Sequence, residues 1–253
     1  KVIEILILSL IQGITEFLPI SSSSHLILVS EYLNFKEQGL SVDVSLHIGS
    51  FIAVLTYFHK EILEFIKNKK LFFKILISSI PVMLVGFILV ETNLINKIRN
   101  LQVISWTTII FGVLLYISDK CSLEKKIDKS FTYKSALFIG LFQVLSLIPG
   151  VSRSGIAITA ARVLKFKRYD AAKVSFLLSI PILGAVSLFG FKNLFTEANL
   201  NFTYFNLISA FLSFVFSYIT IKYFLIFIKK FSLNIFIIYR ILLGIILLFI
   251  DNL

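Results

Sequence analysis

A series of long apolar runs separated by short, mostly basic loops constrains this chain more than any other feature. The runs fall at about Val44–Phe58, Lys74–Val90, Leu101–Ser118, Ser175–Phe191, Thr203–Ile228 and Ile235–Ile250. A bilayer core needs about 20 apolar helical residues to cross it, because nothing inside it will hydrogen-bond a free N–H or C=O. The runs lack the every-second-residue alternation of a barrel strand, so they predict helices. Composition agrees: 57% of residues are hydrophobic, 15% are charged and Phe occurs 27 times. A soluble domain carries about 45–50% apolar and about 25% charged residues. The expected fold is therefore an all-α integral membrane protein, a single membrane domain over residues 1–253 with about six transmembrane helices. A disordered chain is excluded, and the composition argues against a water-soluble enzyme.

The net charge is +11, from 25 basic and 14 acidic residues. In a soluble protein that excess would suggest nucleic acid. Here the basic residues sit in short loops, such as Lys67, Lys69 and Lys70, or Lys125, Lys126 and Lys129. That pattern fits the positive-inside bias and anionic lipid headgroups, with no nucleic-acid partner. The loops Lys60–Lys74, Lys120–Lys134, Lys165–Lys173 and Lys222–Lys230 are basic and go inside. The weaker loops Glu31–Asp43, Glu91–Asn100 and Lys192–Asn201 go outside. Cys121 is the only cysteine, so neither a disulfide nor a thiolate metal site is expected. The first apolar run has no basic n-region and no small-residue cleavage site, and is not read as a removable signal peptide.

Two apolar segments behave differently. Val2–Leu18 runs into Pro19-Ile20-Ser21-Ser22-Ser23-Ser24-His25, and Ser135–Ile148 runs into Pro149-Gly150-Val151-Ser152-Arg153-Ser154-Gly155. Each then returns to one short apolar helix. Backbone broken at membrane depth must be buried in protein or line a wet cavity, so both are expected to be re-entrant helical hairpins, over about 1–30 and 135–164. Pairing Pro19 with Pro149 sets Ser22 opposite Ser152 and Ser24 opposite Ser154, and Ser50-Phe51 resembles Ser175-Phe176. The chain thus divides into repeats over 1–118 and 135–253, and the loop charges give them opposite orientations. In such inverted repeats the broken helices meet near the midplane and their ends face a ligand.

Polar groups at membrane depth mark functional candidates. Gln12 and Glu16 lie one helical turn apart, just before the first break. Ser21 to Ser24 exceed what one N-cap needs, and His25 follows them; a hydroxyl or imidazole beside a carboxylate supplies a nucleophile and an acid or base. Arg153, set between Ser152 and Ser154 and flanked by Gly150 and Gly155, suits a phosphate clamp, or pairs with Glu16 across the repeat interface, or both in turn. Asp43 and His47 share a helical face and read as an interfacial polar pair. Arg240, inside the last apolar run, faces protein or headgroups. This inventory fits cleavage of a phosphate-containing lipid, with a carboxylate able to share a hard divalent cation with phosphate oxygens.

The run Gln12-Gly13-Ile14-Thr15-Glu16-Phe17-Leu18-Pro19-Ile20-Ser21-Ser22 with His25, and the run Pro149 to Gly155, closely resemble the bacterial undecaprenyl-diphosphate phosphatases of the bacitracin-resistance type. The resemblance covers nearly the whole chain, including Tyr239-Arg240. It implies hydrolysis of undecaprenyl diphosphate to the monophosphate and phosphate, recycling the lipid carrier for peptidoglycan. It also implies a multi-pass plasma-membrane protein with its site open to the outer face, and a divalent cation, Mg²⁺ or Ca²⁺. By motif position Glu16 handles metal or pyrophosphate, Ser22 and His25 are the nucleophile and acid–base candidates, and Arg153 is the clamp. Gln12, Ser21, Gly150, Ser152 and Ser154 would bind substrate. Three positions depart from the pattern: Gln12 for a frequent Glu, Ser24 for a common Gly, and Ala157 for the usual Thr, with Thr159 two residues on. The architecture is compatible with a homodimer. It also suits a second function, a transporter or flippase of a polyprenyl phosphate.

Overall fold

The computed structural model describes residues 2–33, 35, 39–67, 69–92, 94, 98–123, 125–196 and 204–251. Among them the chain is all helical, with no strand. Thr203, the expected start of one span, and loop residues 34, 36–38, 68, 93, 95–97, 124 and 197–201, used above to orient the chain, lie outside the described residues. The helices are α1 (Val2–Thr15), α2 (Ser22–Leu33), α3 (Leu40–Tyr57), α4 (His59–Lys67), α5 (Lys69–Glu91), α6 (Leu101–Asp119), α7 (Ile127–Ser130), α8 (Tyr133–Val144), α9 (Arg153–Val163), α10 (Arg168–Thr196), α11 (Tyr204–Lys230) and α12 (Asn234–Asp251). A 3₁₀ turn at Leu145–Leu147 follows α8.

Among the described residues five helices are long and apolar enough to cross a membrane: α5, α6, α10 over Arg168–Lys192, α11 and α12. The sixth expected span, Val44–Phe58, is formed by α3 and its capping Phe58, and the apolar part Ser41–Tyr57 is shorter than these five. Asp43, Ser45, His47 and Ser50 interrupt its apolar character, and it is sheltered by neighbours instead. Ser50 Oγ meets Ser213 Oγ (3.2 Å) and Ser217 Oγ (2.9 Å), Ser213 Oγ donates to Leu46 O (2.7 Å), and Asn206 Nδ2 donates to Ser45 Oγ (3.2 Å). Small hydroxyl residues let helix backbones approach closely where lipid offers no hydrophobic drive between them.

The two broken segments form helix pairs, α1 with α2 and α8 with α9. Their arms of 14, 12, 12 and 11 residues are each short of a full crossing. The first arms pack crosswise: α1 lies on α11 and α8 lies on α5. Both contacts are made through glycine. A Cβ at Gly13 would strike Phe216 and the Ser217 backbone, and one at Gly140 would strike the Ser78 backbone.

Each break turns at a serine in the left-handed region, Ser21 (φ 74°) and Ser152 (φ 71°), and each second helix starts at the next residue. These serines are 131 residues apart, one more than the Pro19–Pro149 alignment gives. The matched backbone therefore sets Ser21 with Ser152 and Ser22 with Arg153. A proline restricts the residue before it but does not fix where the following helix begins; the left-handed turn does.

Helix α9 is buried on every side from Ser154 to Arg162. Its far end is anchored by ionic contacts. Arg162 Nε meets Asp119 Oδ1 (3.3 Å), and Arg168 reaches Oδ1 (2.7 Å) and Oδ2 (3.0 Å) of the same carboxylate. Arg162 also donates to Phe166 O and Cys121 O, both at 2.6 Å. The chain around Asp119 and Cys121 is thereby tied down beside α9.

Candidate active site

The breaks bring the starts of α2 and α9 to one cavity of about 170 Å³, lined by Glu16, Ser21, Ser22, Ser23, Ser152 and Arg153 among others. A helix N-terminus presents unpaired N–H groups and the positive end of its dipole, so two converging on one space favour an anion. Ser152 keeps part of this end in order, its Oγ accepting from Gly155 N (3.1 Å) as the N-cap of α9. On another side Val82, Leu147, Ile182, Leu183 and Val186 form an apolar wall.

Glu16 occupies the turn between α1 and α2 and is 7% exposed. Its Oε2 accepts from Ser22 Oγ (2.7 Å) and Gln12 Nε2 (3.1 Å); its Oε1 accepts from Arg153 Nη2 (2.9 Å). The Ser22 contact is the nucleophile-to-base geometry of an activated hydroxyl. The Glu16–Arg153 ion pair expected from sequence is present. Arg153 also reaches Ser175 O and Glu16 O at 3.5 Å each, leaving room for an incoming anion to take a larger share of the guanidinium. Ser154 stands behind the cavity and joins the breaks, its Oγ donating to Leu18 O (2.6 Å).

A residue outside both motifs holds the breaks together. Arg240 of α12 has 0% exposure. It donates to Pro19 O (3.2 Å) in the first break, to Gly150 O (2.9 Å) and Val151 O (3.1 Å) in the second, and to Thr108 O (3.3 Å) on α6. Sequence left open whether this arginine faced protein or headgroups; it faces protein, and spans both breaks. Gly150 (φ 89°) turns its carbonyl to Arg240 instead of lining the cavity.

His25 does not reach the cavity. Its Nδ1 donates to Ser21 O (2.6 Å), its Nε2 accepts from Tyr239 Oη (2.6 Å), and the two rings stack at 5.7 Å. The imidazole lining the cavity belongs to His47, which sequence placed in an interfacial pair with Asp43. A histidine in the middle of an apolar run, three residues before Ser50, was the available signal. Ala157 and Thr159 are both buried in α9, and the Thr159 hydroxyl is spent on Gly155 O (2.8 Å), so it does not replace the missing motif threonine.

A divalent cation has only a partial site in the protein. Among the described residues no group of three or more His, Cys, Asp or Glu side chains comes together. Glu16 is the carboxylate on the cavity wall, and beside it the buried Gln12 Oε1 has no hydrogen-bond partner among the described residues. One carboxylate with a nearby amide oxygen fits a hard cation that takes its remaining ligands from phosphate and water.

The profile of the bacitracin resistance protein BacA family matches residues 5–246. The chain belongs to this family. It is 50% identical over 248 residues to an undecaprenyl-diphosphatase of Pelagibacter ubique, covering 98% of this chain and 96% of that one. It is 43% identical over 256 residues to an undecaprenyl-diphosphatase of Saccharophagus degradans, covering 96% of each. A third relative so named, from Aliivibrio salmonicida, is 42% identical over 255 residues, covering 95% of each. These matches run through both breaks, so the residues on the cavity wall lie within the part shared with the BacA family.

Proposed function

We propose that this chain is an undecaprenyl-diphosphatase, hydrolysing undecaprenyl diphosphate to the monophosphate and phosphate and so recycling the envelope lipid carrier. The observation that carries the reading is the Ser22 hydroxyl bonded to Glu16, with Arg153 on the other carboxylate oxygen, where two helix N-termini meet. The diphosphate enters with its prenyl tail along Val82, Leu147, Ile182, Leu183 and Val186. Its charge draws Arg153 toward the phosphates and is met by the N–H groups opening α2 and α9. Ser22 Oγ attacks the terminal phosphorus and gives its proton to Glu16. The bond from that phosphorus to the bridging oxygen breaks, and its electron pair leaves with the monophosphate. Water then cleaves the phosphoserine. Ser22 takes the nucleophile role over His25, which is held outside the cavity by Tyr239. A divalent cation, Mg²⁺ or Ca²⁺, bound through Glu16 and phosphate oxygens would neutralise charge on the leaving group.

In the membrane we place α1–α2 and α8–α9 as two re-entrant hairpins, with α3 as a sixth crossing, the repeats inverted and the cavity open to the outer face of the plasma membrane. The short arms, the matched left-handed serines and the loop charges support this layout. The test is phosphate release from a C55 or C15 prenyl diphosphate by purified protein, with Mg²⁺, Ca²⁺ or EDTA, beside Ser22→Ala and Arg153→Ala. Cation-dependent release lost in both variants is expected. No release by folded wild-type protein would leave lipid-phosphate translocation as the function.

A further inference from the structure

When the phosphoserine is cleaved, the attacking water loses a proton and Oγ gains one. With the Ser22 proton still held on Glu16, that carboxylate serves the transfer to Oγ, and a second base facing the same space serves the water. Of the residues lining the cavity, Glu16, Arg153 and His47 are the titratable ones, and Arg153 is always charged.

His47 is built for the task. It projects from α3, which the serine contacts to α11 hold in place one turn further on. Its Nδ1 lies 2.8 Å from Asp43 O. A carbonyl only accepts, so Nδ1 carries the hydrogen and Nε2 keeps its lone pair. Among the described residues no protein group bonds Nε2. His25 has both ring nitrogens engaged outside the cavity, and His59 is exposed at the start of α4, bonded to Thr56 O.

We infer that His47 is the base that activates the water releasing phosphate, an inference that rests on Ser22 as nucleophile. Water loses a proton to His47 Nε2 as its oxygen bonds to phosphorus. The P–Oγ bond breaks, Oγ takes back the proton held on Glu16, and the imidazolium returns its own proton to solvent with the departing phosphate.

The test is a rapid-quench turnover of C15 diphosphate labelled with ³²P in the terminal phosphate, using the full-length chain. For His47→Gln we expect a stoichiometric burst of prenyl monophosphate, label retained on the protein, and phosphate release slowed about 10²- to 10⁴-fold, the usual contribution of a general base. In His47→Ala, added imidazole should restore release, which a packing defect would not allow. Wild-type release by His47→Gln, or equal loss of burst and release with no imidazole rescue, overturns the assignment. Ser22→Ala separates the two readings. If that variant turns over normally, the serine mechanism falls and the His47 step with it; if it is inactive while His47→Gln is normal, only His47 falls.

Discussion

Replacing Arg240 with Leu should loosen both breaks at once. The guanidinium is fully buried and makes four hydrogen bonds to carbonyls on three separate segments. Hydrogen bonds from a charged donor contribute about 1.5–3 kcal/mol each. Counting only the two at 3.1 Å or shorter, to Gly150 O and Val151 O, the loss is roughly 3–6 kcal/mol. Relief of the buried charge offsets part of this, because desolvating an ion itself costs several kcal/mol. A net loss of about 2 kcal/mol lowers Tm by roughly 4–8 °C in a chain of this size. Arg240→Lys keeps the charge but not the planar fork, so it cannot reach Pro19 and Gly150 together and should lose about half as much. The assay is thermal unfolding in detergent followed by circular dichroism, with phosphate release measured at 20 °C. A Leu variant melting within about 2 °C of wild type would refute the idea that this arginine holds the breaks together.

Ser22→Ala should abolish phosphate release while leaving the melting curve almost unchanged, since only the contact to Glu16 is lost. Glu16→Gln should lower kcat at least about 10²-fold with a smaller change in KM, because it removes the base yet leaves Arg153 free for the diphosphate. His25→Ala should cost less than about tenfold in kcat, the range below a direct proton-transfer role, because its ring faces Tyr239 and not the cavity. Asp119→Asn leaves Arg162 buried beside a neutral partner and should destabilise by about 3–5 kcal/mol in denaturant or thermal melts. Gly140→Ala should cost about 1–3 kcal/mol by forcing α8 away from the Ser78 backbone.

Much of this was legible in the chain itself, for identifiable reasons. Apolar runs long enough for lipid announce helices whatever their packing, so α5, α6, α10, α11 and α12 follow from hydropathy. The breaks are legible because proline, glycine and clustered serines have no ordinary place in a spanning helix. Glu16, Ser22 and Arg153 meet as their spacing suggested, each within two or three residues of a break. What spacing cannot carry is side-chain direction across unrelated helices. His25 is close to Ser22 in sequence yet turns to Tyr239, 214 residues away, while His47 reaches the cavity from a different helix. Arg240 was unreadable for the same reason, since its partners are backbone carbonyls, which have no sequence signature.

The register of the two breaks bears on how such a site is built. At matching positions Gln12 and Gln143 are both fully buried with a side-chain carbonyl lacking a partner among the described residues, and Ser21 and Ser152 both make the left-handed turn. The chemistry then diverges at the next residue. Ser22 opens α2 with a hydroxyl bonded to Glu16, whereas Arg153 opens α9 with a cation bonded to the same carboxylate. A left-handed turn into a helix start aims the first helical residue at the cavity in either case. In the proposed mechanism the identity of that one residue decides whether a break supplies the attacking oxygen or the charge that receives the phosphate. A single carboxylate can then serve both, because it stands where the two helix starts face each other.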